Sequence, residues 1–199
     1  MRPVTACVLL LAAATQTLAQ YAILFDIEDD TLLPGQSTSV TLSAAYAPHD
    51  WAFALVLTDL VSSEGERGLS DWELVAPLTG PGTTPGAPSG TGIDGILAGQ
   101  LNFPVPGLPP PTNPIDFWTV TYTAPMDVAA PFDVLLSTDT SRFEVYPTRE
   151  AVFGESRLDL LAEGNATIRV IPTPASVAVL GGLLVCARRR HSSRGSSRD

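Results

Sequence analysis

Apolar and polar residues alternate in short runs along most of this chain, with the period of two that lines one face of a β-strand. A first strand is read over residues 21–28, and Asp29-Asp30 and Pro34-Gly35 punctuate the turn into residues 37–46. There Val40, Leu42, Ala44 and Tyr46 alternate with Ser39, Thr41, Ser43 and Ala45, the signature of a half-buried strand. Residues 51–61 are nearly all apolar and are expected to form a central strand buried on both faces. Shorter strands are expected over 72–76, 96–103, 117–123, 132–137, 142–146 and 167–171, while 158–163 fits a helical turn as well as a strand. Within 117–123, Trp118, Val120 and Tyr122 are placed on one face, with Phe117 and three threonines on the other. Many short strands without a long helix predict an all-β fold, an antiparallel immunoglobulin-like β-sandwich over residues 20–170.

Two interruptions exceed ordinary hairpins. Residues 77–92 (PLTGPGTTPGAPSGTG) are expected to be a mobile loop, and 104–114 (PVPGLPPPTNP) a stiffer one of polyproline character. The two ends read differently from the middle. Arg2, the apolar run 4–14 and a small residue, Ala19, before Gln20 make residues 1–19 a signal peptide cleaved after Ala19. Near the other end, Ile171-Pro172-Thr173-Pro174 precedes apolar or small residues over 175–187, and Arg188-Arg189-Arg190 follows at once. The apolar segment is short of the ~20 residues that span a bilayer comfortably. The arginines would hold the 188–199 tail on the cytoplasmic side, leaving the domain outside.

That order of parts resembles the PEP-CTERM sorting signal of exported bacterial proteins: a Pro-x-Pro motif, usually Val-Pro-Glu-Pro, then a short apolar helix and an arginine-rich end. Here Ile171, Pro172, Thr173 and Pro174 stand for the motif, 175–187 for a short transmembrane helix, and Arg188, Arg189 and Arg190 for the basic end. Thr173 takes the usual glutamate position. The resemblance implies signal peptidase and an exosortase as processing partners. It also implies passage through the inner membrane and delivery to the cell surface or an extracellular matrix. Two prolines cannot continue a helix, which keeps this entry extended at the membrane surface.

Charge sharpens the picture of the middle. Residues 20–174 carry 20 acidic side chains against 5 arginines, a net of −15, although the whole chain is only −10. Such a domain repels phosphate backbones, which excludes nucleic acid as a partner. The chain has no lysine, and its two cysteines, Cys7 and Cys186, lie in the terminal segments. The domain therefore holds no disulfide, thiolate metal site or cysteine nucleophile.

Candidate chemistry is sparse. His49, beside Asp50, is the domain's one histidine and reads as a solvated turn residue; no Gly-x-Ser-x-Gly elbow accompanies it. No cofactor is expected. Glu28-Asp29-Asp30 and Glu64 with Glu66 are the only groups that suggest calcium, and consecutive strand residues point to opposite faces. Trp51 and Trp118 read as core, which leaves Trp72 as the possible sugar contact. The stretch LPGQSTSVTLSAAY resembles the start of cohesin-like and carbohydrate-binding β-sandwiches. The expected function is a non-enzymatic exported envelope or matrix protein. The alternative is a surface module that binds carbohydrate, such as exopolysaccharide, or adheres with calcium; other envelope proteins are further partners.

Overall fold

Hydrophobic alternation at the start of the domain becomes β1 (Tyr21–Ile27) in the computed structural model, which describes residues 20–99 and 112–173. The expected signal peptide, residues 104–111 of the expected second loop, Pro174, the segment expected to form an apolar helix and the arginine-rich tail lie outside the described residues. Inward residues of β1 meet those of β3 (Ser37–Ala45), its antiparallel neighbour with Ile23 opposite Ala44 and Phe25 opposite Leu42. β8 (Ile115–Thr123) follows β3, and β5 (Leu69–Leu74) forms the edge. With β11 (Leu161–Ala162) on the far side of β1, the order of this five-stranded sheet is β11-β1-β3-β8-β5.

The second sheet is seven-stranded. Its path runs β2 (Thr31–Leu32), β12 (Asn165–Val170), β9 (Phe132–Tyr146), β4 (Ala52–Ser62), β7 (Gly92–Gly99) and β6 (Thr84–Pro88). A short β10 (Glu155–Ser156) pairs with the end of β9. Inward side chains of both sheets share one core, including Val40, Leu42, Phe53, Val56, Leu60, Trp118, Tyr122, Phe143 and Ile168. Phe143 meets Tyr21 and Phe53 edge to face at centroid distances of 6.3 and 5.9 Å, the arrangement aromatic quadrupoles favour. The expected all-β sandwich is thus present, and no helix among the described residues is long and apolar enough to cross a membrane.

Several local expectations are corrected. β4 is central, between β9 and β7, but it is buried on both faces only at its start (Ala52, Phe53 and Ala54); further along, Leu55 and Leu57 on the outer face are half-exposed. The segments 132–137 and 142–146 are one strand, β9, because the polar residues between them are satisfied in place. Thr138 and Thr140 are buried and donate to Glu163 Oε2 at 2.6 and 2.9 Å, and Thr58 lies 3.0 Å from the Thr140 hydroxyl. Ser141 is the extra residue of a bulge there, since Leu57 pairs with Arg142 and Thr58 with Thr140. Phe117 does not join the threonines: a register shift opposite Leu42/Ser43 turns it into the core with Trp118.

The expected 77–92 loop contains β6 and a fully buried Leu78. Two prolines argue against a central strand, but β6 is an edge, where proline is tolerated. Trp118 Nε1 donates to Pro85 O at 2.9 Å, which pins that edge to the core. β7 begins at Gly92, earlier than expected, and accommodates Asp94 and Gly95 as a bulge opposite Asp59. Gly95 has φ +73 and donates its N–H to Asp59 Oδ1 at 2.6 Å, a left-handed position that suits glycine. The ambiguous 158–163 region resolves into a 3-10 turn (Leu158–Leu160) followed by β11.

Candidate functional site

The two outward faces of the sandwich differ in chemistry because their alternating positions are filled differently. On the five-stranded sheet, β3 presents Ser37, Ser39 and Thr41 in register with Thr123, Thr121 and Thr119 of β8. Ser37 and Thr123 hydroxyls lie 2.8 Å apart, and Ser43 donates to Asp116 at 2.6 Å. This face is a hydroxyl surface that water satisfies as well as any ligand.

The seven-stranded sheet instead turns Leu55 and Leu57 of β4 outward, and Leu57 sits opposite Leu97 of β7. Leu55 and Leu57 pair on the other side with Glu144 and Arg142, which form an ion pair at 2.6 Å. At one end, a cleft of about 250 Å³ opens between this strip and two loops. Its walls are Ala54, Leu55, Leu97, Gly99, Glu144 and Tyr146 from the strands, Gly80–Thr83 from one loop, and Val152, Phe153 and Gly154 from the other. Val152 and Phe153 are 78% and 83% exposed, which costs solvation free energy that a partner could recover. Acidic groups flank the strip: Asp59 pairs across strands with Asp139, and Asp94 is exposed on the neighbouring bulge.

The base of the Val152–Phe153 loop is held by a buried polar latch. Asp50, just before β4, has its side chain only 1% exposed. Its Oδ2 accepts the Tyr21 hydroxyl at 2.7 Å, and Arg157 donates to the same Tyr21 oxygen at 3.2 Å. Asp50 Oδ1 has no hydrogen-bond partner among the described residues; it faces Arg157 Nη2 at 3.5 Å and the exposed His49 at 4.0 Å. Arg157 also reaches Glu155 at 3.0 Å. Burial, reinforced by the bond to Asp50, raises the Tyr21 hydroxyl above the ordinary tyrosine value; burial and then the Asp50 charge do the same for Tyr46. The bond to Tyr21 is the main reason the Arg157 guanidinium is held more firmly protonated. Around the latch, Trp51 N donates to Tyr146 O at 2.8 Å and Arg157 N to Phe143 O at 2.9 Å. The lead into β4 and the chain that follows the loop are thereby both tied to β9.

Sequence-derived candidates fall in other places. Trp72 lies on the edge strand β5, partly buried against the main core, and Trp51 packs on a small separate cluster with Ala52, Ala54 and Tyr146. Glu28, Asp29, Asp30, Glu64 and Glu66 are all exposed. No group of three or more metal-ligating side chains comes together among the described residues. Ile171, Pro172 and Thr173 leave the end of β12 half-buried, and Ile171 N donates to Leu32 O at 2.9 Å. The stretch expected to be a sorting motif therefore starts on the sheet itself, while Arg188, Arg189 and Arg190 lie outside the described residues. The cleft and the latch were not foreseen. Val152-Phe153-Gly154, an apolar pair in a stretch claimed by no strand pattern, was the available signal for the cleft.

No protein-family model matches the chain, and no curated protein matches it. Solved structures of similar outline are cohesin modules. One is the seventh ScaB type I cohesin of Pseudobacteroides cellulosolvens, at 14% identity and a TM-score of 0.48, covering 77% of this chain and 92% of that one. Another is the sixth cohesin of scaffoldin B from Acetivibrio cellulolyticus, solved with a mutant Cel5 dockerin, at 13% identity and a TM-score of 0.44, covering 77% and 99%. A third is the cohesin module of a family 33 glycoside hydrolase from Clostridium perfringens, at 11% identity and a TM-score of 0.40, covering 78% and 99%. Likenesses at this level assign neither family nor partner, and the sandwich stands on its own strand pairing.

Proposed function

We propose that this chain is an exported, non-enzymatic binding module of the cell surface or extracellular matrix, and that it captures a protein partner on the open face of its seven-stranded sheet. One observation carries the binding reading: Phe153 and Val152 stand almost fully exposed over a cleft continuous with the Leu55, Leu57 and Leu97 strip. Covering each such side chain is worth about 1.5–3 kcal/mol, enough for a few anchors to hold a partner. Asp59, Asp94, Asp139 and Glu144 around the strip, in a domain of net charge −15, select an amphipathic partner segment with basic flanks.

Delivery is read from the ends of the chain: signal peptidase cuts after Ala19, and an exosortase acts at Ile171–Pro174 after the 175–187 helix and its arginines have stopped transfer at the inner membrane. Attachment of Ile171 to β2 supports a short reach between the folded body and the processing site.

Both halves have direct tests. Cells producing the full chain and a form lacking 171–199 are fractionated; identical distribution of the two would end the sorting reading. For binding, the labelled domain is added to cell envelopes before and after protease treatment or polysaccharide digestion. Retention that is lost after protease and in the Val152→Asp/Phe153→Asp variant supports a protein partner. Retention unaffected by the variant and lost only after polysaccharide digestion transfers the function to the carbohydrate reading.

A further inference from the structure

We propose that the mature N-terminus is a pyroglutamyl residue formed from Gln20, which leaves the exported protein without a single primary amine. The inference rests on the export reading, specifically on cleavage after Ala19.

Gln20 is exposed, whereas the next residue, Tyr21, is 2% exposed. Tyr21 is fixed three ways: its hydroxyl is held by Asp50 and Arg157, its ring packs on Phe143, and its backbone lies in register with Leu161 in a parallel pair. The folded body therefore holds the chain up to Tyr21 and leaves one residue ahead of it in water. A terminus at Tyr21 itself would bring an ammonium group to the buried start of β1, which is costly without a partner. Cleavage after Ala19 avoids this and places a glutamine first.

An N-terminal glutamine carries its α-amine within five-membered-ring reach of its own carboxamide. The Nα lone pair attacks Cδ, the Nα–Cδ bond forms, and the Cδ–Nε2 bond breaks. The leaving nitrogen departs as ammonia with the proton that Nα gives up. Neither oxidant nor co-reactant enters, and the product is a neutral lactam in place of an ammonium. Exposure of the Gln20 side chain leaves it free to close the ring.

The consequence depends on a property of the whole chain: it contains no lysine, so the α-amine of Gln20 is the only primary amine of the mature protein. Once that amine is closed, no amine-directed coupling can join this protein to its surroundings through a side chain or its N-terminus. A covalent attachment to envelope or matrix then has to use another group, such as the carboxyl end that cleavage at the proposed sorting motif would free. Aminopeptidases are blocked by the same ring.

The test uses the full chain, exported by a bacterial host and purified from its envelope. The peptide ending at Arg67 is weighed, the N-terminus is sequenced stepwise, and the denatured protein is treated with an amine-reactive dye. The expected result is a peptide one ammonia lighter than residues 20–67, a terminus blocked to stepwise degradation, and no dye incorporated. Gln20→Ala should restore a single labelled amine and the uncyclised mass with an unchanged unfolding midpoint. A chain that starts at Gln20 with its amine free and labelled overturns the proposal and leaves the cleavage reading standing. A terminus at any other residue overturns both.

Discussion

Arg157→Met should destabilise the domain through the charge it leaves behind rather than through the contacts it removes. Asp50 is 1% exposed at its side chain, and only Oδ2 accepts a hydrogen bond. Arg157 Nη2, 3.5 Å from Oδ1, supplies the compensating charge. Breaking a buried pair by removing one partner costs about 3–5 kcal/mol. Arg157 is 20% exposed and shared with Glu155, so water can take over part of its role, and the expected loss is about 2–3 kcal/mol. Adding Asp50→Asn removes the stranded carboxylate, so the double variant should recover at least ~1 kcal/mol relative to the additive sum. Equilibrium urea unfolding of residues 20–173, followed by tryptophan fluorescence, reads this as a midpoint shift of roughly 1 M for the single variant at an m-value of about 2 kcal/mol/M. An Arg157→Met domain within about 0.5 kcal/mol of wild type, or a strictly additive double variant, would refute the latch as a charge-compensated unit.

Trp118→Phe should cost about 2–3 kcal/mol, from a residual cavity and the lost bond to the Pro85 carbonyl. Amide exchange should accelerate first in β6, the edge strand that this bond pins. Phe153→Ser should leave the unfolding midpoint within about 0.5 kcal/mol of wild type, because the ring is already 83% exposed, while envelope binding falls. Tyr21, Tyr46 and Tyr122 all have hydroxyls raised above the ordinary tyrosine value, chiefly by burial. Ionisation is then easier in the unfolded chain, which binds fewer protons than the native one at high pH. Stability is therefore full below about pH 10 and falls as pH rises past it; thermal melts from neutral to alkaline pH check the sign. Gly92→Ala should be severely destabilising, since its added Cβ would overlap the Leu60 carbonyl oxygen across the β4–β7 pair; failure to see a large drop in melting temperature would contradict that packing.

Much of the sandwich was legible in the residue pattern. Alternation in β3 and β8 located both strands and, Phe117 apart, their buried faces, because a period of two is a local property of an extended backbone. The failures have a common origin. Thr138–Ser141 read as a break, yet β9 runs through it because Glu163, distant in sequence, accepts hydrogen bonds from Thr138 and Thr140. Residues 84–88 read as loop because two prolines weaken any isolated strand, yet an edge position and the Trp118 indole hold them in the sheet. Residues 51–61 read as buried on both faces because hydrophobicity alone does not say whether anything covers the second side.

The candidate site shows the same division more sharply. The sequence by itself determined the all-β class, the acidic and lysine-free character of the domain, and the terminal segments on which the delivery reading rests, because these are properties of composition and local order. Tertiary structure alone decided that Asp50, Tyr21 and Arg157 meet, that Leu57 lies opposite Leu97, and that Leu55 and Leu97 line one cleft with Val152 and Phe153. Each of those meetings joins strands or loops far apart in the chain, and long-range register is set by packing of the whole core rather than by any residue's own preference.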